Sequence, residues 1–392
     1  MNLSNSIFKA YDIRGIINKT LDASIATLIG KSFGSAMREL GEDLIVVGRD
    51  GRLSGPELIK GLTEGLLSVG VSVIDLGVVA TPMVYFGTNI TINGQQAKSG
   101  IMITGSHNPP DYNGFKMVLG GQAIYGEQIQ GLYQRIIDQK FSESKPATRS
   151  EFDIFPSYLE RIVGDIKLAR PIKIAVDCGN GVGGAFAGKL FRALGCEVEE
   201  MFCEVDGNFP NHHPDPAHLE NLQDLIANLK NTDNELGLAF DGDADRCFVV
   251  DEKGGIVSPS ILTALIADRE LKKHPNATII HNLITSRSVP ELVTKLGGTP
   301  VRTRVGHSFI KATMAETGAV FGGEHSGHFY FADFWKADSG MLAAMHALAA
   351  LGETAEGSTL SSLLQQYQLY VESGEINSKV ENPAAIVKSL KD

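Results

Sequence analysis

The chain has 392 residues, of which 43% are hydrophobic and 21% are charged, and its formal net charge is -11. This balance is that of a folded globular protein and excludes disorder, while the length predicts roughly two to four domains. The acidic surface argues against a general role on nucleic acid or on a membrane. The N-terminus has no signal-peptide pattern and no run of about 18 apolar residues occurs, so we expect a cytoplasmic protein.

One pattern recurs three times along the chain. A helix-like stretch ends in Leu or Val before a glycine, and a short strand-like run follows; the glycines are Gly70, Gly195 and Gly297. An interval of about 100 residues is too long for a solenoid repeat and fits tandem similar domains. Because buried strand-like runs alternate with amphipathic stretches, we predict α/β domains with mixed or parallel sheets covered by helices.

The predicted boundaries follow changes in composition. Domain 1 is expected over residues 1–150, with the polar stretch at 139–151 as a linker, domain 2 over 151–255 and domain 3 over 256–367. Residues 368–392 are expected to open a truncated fourth domain. The cysteines lack metal-binding spacing, so we expect buried, reduced thiols at Cys178, Cys196, Cys203 and Cys247.

The segment at 100–118, GIMITGSHNPPDYNGFKMV, gives the sharpest chemical signal. A strand at 101–103 leads to Ser106 and His107, in a loop whose asparagines, prolines and glycine disfavour both helix and sheet. Lys116 lies on the returning strand. Such a loop can present a hydroxyl in a fixed place, and a solvated hairpin turn is the alternative.

A second segment places Asp241, Asp243 and Asp245 at alternating positions after the strand-like LGLAF. Their carboxylates can converge on one cation that prefers oxygen ligands, such as Mg²⁺, and a solvated acidic turn is the alternative. The spacing also matches an EF-hand loop. We exclude that loop because Arg246 stands where its glycine must be and the flanks read as strands.

Weaker signals lie at three other places. The glycine-rich turn FGGEHSGHFYF contains Glu324, Ser326 and His328, a set suited to recognising sugar hydroxyls. Near the N-terminus, FKAYDIRG contains Tyr11 and Arg14, and VGHSFIK contains His307. Taken alone, each of these segments is as easily structural.

Taken together and in this order, AYDIRG, TGSHNP, DGDADR, GHSFIK and GGEHSGH resemble the α-D-phosphohexomutase family, of the bacterial phosphomannomutase/phosphoglucomutase type. The resemblance covers almost the whole chain. It implies four domains, the first three being similar α/β units, with the active site in their common cleft. It also implies interconversion of hexose 1-phosphate and 6-phosphate, of mannose or glucose, through a phosphoserine and a 1,6-bisphosphate.

The resemblance also implies roles for individual residues. Ser106 is the implied phosphoserine, and the implied Mg²⁺ ligands are Ser106, Asp241, Asp243 and Asp245. The groups around the transferring phosphoryl are Lys116 as general acid/base, His107, Arg246 and Arg14. Substrate binding is assigned to Tyr11, Glu324, Ser326, His328 and His307. We expect a monomer that binds a hexose phosphate, without nucleic acid or membrane, and glucose 1,6-bisphosphate or mannose 1,6-bisphosphate as activator and intermediate.

The chain departs from the family pattern at two places. Ile284 stands where the family often has a lysine that touches substrate, and no R-x-S-N-T run, the family's phosphate-gripping loop, occurs before Asp392. We therefore expect impaired turnover. A non-catalytic sugar-phosphate or metal-binding module and a phosphatase are the alternatives.

Overall fold

A computed structural model describes residues 3–145, 147–371 and 378–389, with the backbone alone for His307 and Ala384. In these ranges the strands form three separate sheets that follow one another along the chain. The fold is therefore three tandem α/β domains, as predicted. Of the predicted fourth-domain segment, residues 372–377 and 390–392 lie outside the described residues.

The first domain contains a seven-stranded mixed sheet. Its strands are β1 (Ile13–Ile16), β2 (Leu44–Arg49), β3 (Ser72–Val78), β4 (Ser99–Ile103), β5 (Tyr112–Leu119), β6 (Gln122–Ala123) and β7 (Arg149–Glu151). Their order is β1-β5-β4-β2-β3-β7, and β6 pairs with β5. The helices are α1 (Ala23–Glu39), α2 (Gly55–Ser68), α3 (Thr81–Gly87) and α4 (Glu127–Ile137). Because β5 runs antiparallel to β4, the loop between them turns back at the carboxyl end of β4.

The stretch predicted as a linker is structured at its end. Arg149 to Glu151 form β7, which pairs in parallel with β3. The Arg149 guanidinium also donates to Asp75 Oδ2 at 2.6 Å. Its polar composition concealed the strand, because the pairing uses backbone groups that every sequence carries.

The second and third domains each contain a five-stranded sheet. The second has β8 (Lys173–Asp177), β9 (Glu197–Met201), β10 (Leu236–Phe240), β11 (Cys247–Asp251) and β12 (Ile256–Val257), with α5 (Phe155–Asp165), α6 (Ala187–Leu194) and α7 (Gln223–Asn231). The third has β13 (Thr278–Asn282), β14 (Thr299–Thr303), β15 (Phe321–Gly323), β16 (Phe329–Phe331) and β17 (Ala337–Asp338), with α8 (Pro259–Lys273), α9 (Ser288–Lys295), α10 (His307–Thr317), α11 (Gly340–Gly352) and α12 (Leu360–Leu364). Their strand orders are β12-β11-β10-β8-β9 and β14-β13-β15-β16-β17. A last helix, α13, spans Pro383–Ser389.

The recurring glycines have one structural role. Gly70, Gly195 and Gly297 follow α2, α6 and α9, with φ of 79°, 103° and 83°. This left-handed conformation favours glycine at a helix end. Each is followed by the next strand of its sheet, β3, β9 or β14, which confirms the predicted repeat.

The three domains share one buried apolar cluster. It includes Val46 of β2, Val176 of β8 and Phe321 of β15, and α3 is buried along its whole length. All four cysteines are free; Cys203 is half-buried and the other three are buried. No helix among the described residues combines the length and apolar character needed to cross a membrane. The shared core fixes the loops at the strand ends relative to one another.

Candidate active site

The loop between β4 and β5 places Ser106 against the second domain. Ser106 is 3% exposed, and its φ of 48° lies in the left-handed region that non-glycine residues rarely adopt. Its N–H donates to Thr104 Oγ1 at 2.7 Å. Its Oγ donates to Asp241 Oδ2 at 2.9 Å and lies 3.1 Å from His107 Nδ1. The structure thus brings the Ser106 hydroxyl together with residues 241–246, the acidic loop.

The acidic loop connects β10 to β11, so its flanks are strands, which agrees with the exclusion of an EF-hand. Oxygen atoms of Asp241, Asp243 and Asp245 lie within 4.8 Å of one another. Among the described residues, Asp243 Oδ1 and Asp245 Oδ1 are buried without a hydrogen-bond partner. Buried carboxylate oxygens left unpaired are costly, and oxygen atoms are the ligands that Mg²⁺ prefers. The residues present therefore fit Mg²⁺.

Two basic side chains neutralise part of this charge. Lys116, on β5, donates to Asp243 Oδ2 at 2.7 Å and also to Asp245 Oδ2. Arg246 Nε donates to Asp241 Oδ2 at 3.0 Å, and its Nη2 donates to Asp215 Oδ1 at 3.2 Å. Each predicted phosphate-binding cation thus has a carboxylate partner.

Burial and charge set the protonation states of this cluster. Burial raises the pKa of Asp241 to about 7. Burial alone would raise the pKa of Asp243 too, but the Lys116 ammonium lowers it below its ordinary value. Against the effect of burial, Asp243 and Asp245 raise the pKa of Lys116 well above its usual range. Burial, with the neighbouring Arg246, lowers the pKa of His107 to about 2. Lys116 is therefore a charged donor and His107 a neutral imidazole at pH 7.

The third domain contributes the turn between β15 and β16. His328 Nδ1 lies 3.1 Å from Asp338 Oδ2 and 3.7 Å from Asp245 Oδ1, beside the acidic loop. Glu324 is 1% exposed, and its oxygens accept from the Tyr330 hydroxyl at 2.7 Å and from the Gly306 N–H at 3.1 Å. Ser326 is half-buried in the same turn. The turn thus approaches the acidic loop through His328.

The remaining predicted residues lie around this centre. Arg14 pairs with Asp12, with 2.5 Å between Nη2 and Oδ2, and its charge acts on His107. The Tyr11 hydroxyl donates to the Val305 carbonyl at 3.4 Å, close to the Gly306 backbone that binds Glu324. His307 begins α10, and its side chain lies outside the described structure.

Two site residues were missed at the level of sequence. Thr81, at the start of α3, donates its hydroxyl to Asp243 Oδ2 at 2.5 Å and its N–H to the Asp243 carbonyl at 3.0 Å. Arg52 is fully buried under the Ser106 loop. The only sequence signal for Arg52 was its place in DGR, directly after a buried strand. An arginine that is buried at such a position needs acceptors nearby, and the aspartate of DGR is one of them.

Comparison with known proteins gives a consistent result. Profiles of the phosphoglucomutase/phosphomannomutase α/β/α domains I, II and III match residues 5–143, 156–255 and 258–370. A phosphomannomutase/phosphoglucomutase of Pseudomonas aeruginosa is 45% identical over 392 residues, covering 99% of this chain and 83% of the relative. A phosphoglucomutase of Neisseria gonorrhoeae is 49% identical over 367 residues, covering 93% and 79%. The crystal structure of a family protein from Burkholderia thailandensis is 52% identical, with a TM-score of 0.90 and coverage of 93% of this chain and 80% of that one.

Three α/β/α domains that bring a buried serine, a carboxylate cluster and basic groups together define an enzyme of the intramolecular phosphotransferase class. Within that class, the chain belongs to the phosphoglucomutase/phosphomannomutase family, the bacterial type of α-D-phosphohexomutase. The predicted family resemblance is thereby confirmed.

Proposed function

We propose that the enzyme interconverts the 1-phosphate and 6-phosphate of glucose or mannose through phospho-Ser106. The observation that carries this proposal is the 2.9 Å hydrogen bond from Ser106 Oγ to Asp241, inside a cluster with two unpaired carboxylate oxygens. In the proposed setting it acts as a cytoplasmic monomer, with a hexose 1,6-bisphosphate as activator and intermediate. Two of the relatives named above carry the names phosphoglucomutase and phosphomannomutase/phosphoglucomutase, which supports this substrate class.

The proposed cycle begins and ends with one phosphoryl group on Ser106. A hydroxyl of the sugar phosphate attacks phosphorus of phospho-Ser106. The new O–P bond forms as the Ser106 Oγ–P bond breaks, the hydroxyl proton passes to a base, and the departing Ser106 Oγ takes up a proton from an acid. The bisphosphate then turns over, and Ser106 Oγ attacks its other phosphate. The Oγ–P bond forms as the sugar O–P bond breaks, the serine proton passes to the base, and the departing sugar oxygen is protonated as the isomeric monophosphate is released. Such transfers depend on in-line positioning and charge neutralisation more than on covalent chemistry by the protein.

The side chains around Ser106 suit these two requirements. Neutral His107 can donate from Nδ1 to Ser106 Oγ, because the serine proton is directed at Asp241. Lys116 and Arg246 supply fixed positive charge where phosphate oxygens arrive. Lys116 is the proposed general acid/base, and because it holds its proton it enters the cycle as the acid that protonates the departing Ser106 Oγ. Mg²⁺, held by Asp241, Asp243, Asp245 and an oxygen on Ser106, would supply further charge neutralisation.

The sugar end is assigned to the third domain. Glu324 and Ser326 lie in the turn that brings His328 to the acidic loop, and carboxylate and hydroxyl oxygens suit recognition of a polyol. We propose these residues, with Tyr11 and His307, as the hexose-binding group.

A coupled assay tests the proposal. Glucose 6-phosphate formed from glucose 1-phosphate is measured with Mg²⁺ and a trace of glucose 1,6-bisphosphate, and intact mass reports phosphate on the protein. Ser106→Ala is expected to abolish both turnover and the bound phosphoryl group. The matched control is Ser150→Ala, on the exposed face of β7, which should behave as the unchanged protein. A full phosphate load on Ser106→Ala would refute the assignment.

The same assay separates the two alternatives. Stoichiometric release of inorganic phosphate without isomerisation would favour a phosphatase. Binding of glucose 1-phosphate with neither product would favour a non-catalytic module.

A further inference from the structure

The Arg52 guanidinium binds the loop that carries Ser106. A guanidinium has five N–H donors in a fixed planar fork, and here all five have acceptors. Nε donates to Asp50 Oδ2 at 3.2 Å. Nη1 donates to the carbonyls of Pro109 at 2.6 Å and Tyr112 at 2.9 Å. Nη2 donates to the carbonyls of Ser106 at 2.7 Å and Asn108 at 2.6 Å.

The loop conformation that Arg52 supports is a strained one. Ser106 has a φ of 48°, and because this region is unfavourable for a non-glycine residue, surrounding contacts must enforce it. Arg52 holds the Ser106 carbonyl, and Thr104 accepts from the Ser106 N–H at 2.7 Å. Asp50 joins the two supports, since it accepts from both Arg52 and the Thr104 hydroxyl. The backbone on either side of Ser106 is thus fixed.

This arrangement leaves no room for a side chain at two nearby glycines. A Cβ on Gly105 would lie 2.5 Å from Arg52 Cζ, so only glycine lets the guanidinium lie flat beneath the loop. A Cβ on Gly242, in the acidic loop, would lie 2.3 Å from the Ser106 carbonyl oxygen. The Ser106 carbonyl is therefore held between Arg52 of the first domain and the acidic loop of the second.

The second domain also closes over Arg52 from the other side. The Phe209 ring lies 5.1 Å from Arg52 Cζ, and Phe209 has a φ of 51°. A Cβ on Gly207 would lie 2.7 Å from both the Gly51 carbonyl oxygen and the Leu53 nitrogen. This closure excludes water from Arg52, which is fully buried.

We propose that Arg52 is a positioning residue for phosphoryl transfer. By binding four backbone carbonyls of the loop, it holds Ser106 Oγ in its position against the acidic loop. The inference rests on the proposed phosphoserine mechanism. Arg52 is fully buried and gives all its donors to Asp50 and the loop carbonyls, so its loss should act through Ser106, lowering kcat and leaving KM nearly unchanged. A displacement of about 1 Å can reduce a rate about 100-fold.

The test compares Arg52→Lys with the unchanged enzyme. Lysine keeps the charge beside Asp50 but lacks the planar fork. We expect a folded protein with KM for glucose 1-phosphate within about threefold, kcat lower by about 100-fold, and correspondingly slower phosphorylation of dephosphorylated Ser106 by glucose 1,6-bisphosphate, followed by intact mass. The matched control is Arg170→Lys, which loses a two-pronged pair with Glu235 far from the site and should keep kcat.

The outcomes separate this inference from the proposed function. If the unchanged enzyme turns over through phospho-Ser106 and Arg52→Lys has kcat within twofold of it, the positioning role is overturned while the function stands. If the unchanged enzyme shows neither phosphoserine nor turnover, the proposed function fails first. Should Arg52→Lys not fold, Gly105→Ala decides, because its Cβ would meet the guanidinium and displace it from the loop carbonyls: a fall in kcat at constant KM supports the role, and an unchanged kcat overturns it.

Discussion

The Lys116 ammonium on β5 of the first domain lies 2.7 Å from Asp243 Oδ2 in the second domain. Both side chains are nearly or fully buried, at 10% and 0% exposed. One cation thus neutralises part of the charge of an acidic loop that belongs to another sheet. The contact links the charge of the site to the docking of the domains.

Replacing Lys116 by Met should therefore destabilise the protein most when metal is absent. Removing one partner of a buried ion pair costs about 3 kcal/mol or more, because the remaining charge is left uncompensated. We expect urea unfolding in EDTA to show this loss and millimolar Mg²⁺ to restore part of it. The matched control is Lys98→Met, at an exposed position. An equal loss with and without Mg²⁺ would contradict the shared role of Lys116 and the metal.

Asp243→Asn tests the carboxylate cluster itself. The change removes one negative charge from a group whose oxygens lie within 4.8 Å of one another. We expect the Mg²⁺ concentration for half-maximal activity, and for half-maximal thermal stabilisation, to rise about tenfold or more, as about 1.4 kcal/mol of binding free energy would give. Asp224→Asn on α7 is the matched control. An unchanged metal response would remove Asp243 from the ligand set.

The parts of the molecule that could be predicted are those whose signal is local. Apolar runs and the glycines that end helices define strands and repeats, so the three α/β domains followed from the sequence. The loops with Ser106 and Asp241 also carry their own turn residues. Arg52 could not be found in this way, because four of its acceptors are backbone carbonyls more than 50 residues away. Backbone acceptors leave no mark in the sequence.

The buried imidazole of His346, on α11, makes stability sensitive to acid. It stacks on Phe331 with ring centroids 5.2 Å apart. Burial, and then the charges of Arg269 and Lys273, lower the pKa of His346 to about 3. Below its ordinary pKa of about 6.5, the unfolded chain binds a proton that the folded chain excludes. Stability is therefore lost as the pH falls from about 6.5 towards 3.

His346→Phe keeps the stacked ring and removes the titrating group. From pH 7 to pH 5, the loss in free energy of unfolding should be smaller in this variant by about 2 kcal/mol. Glu270, 3.7 Å from His346, has a pKa raised by burial and acts in the opposite direction, but it is present in both proteins. The matched control is His218→Gln, on the surface. Equal pH slopes for His346→Phe and the unchanged protein would contradict the prediction.

Ile284 offers a test of substrate affinity at the end of β13. Ile284 is 56% exposed, and Asn282, two residues earlier, donates its side-chain amide to Glu324 Oε1 at 3.2 Å, within the proposed hexose-binding group. A lysine here would add a cation near the bound hexose phosphate without changing the groups around Ser106. We expect Ile284→Lys to lower KM for glucose 1-phosphate several-fold with kcat within about twofold, since uniform binding changes KM alone.

The control for this substitution separates a specific contact from added charge. Leu283→Lys places the same cation one residue earlier, at a side chain that is also 56% exposed. If Ile284 points at the substrate, only Ile284→Lys should lower KM, and raising the salt concentration should reduce the gain because exposed charges are screened. Equal effects at both positions would mean that the charge acts through the general field of the cleft. No change at either position would place Ile284 outside the substrate site.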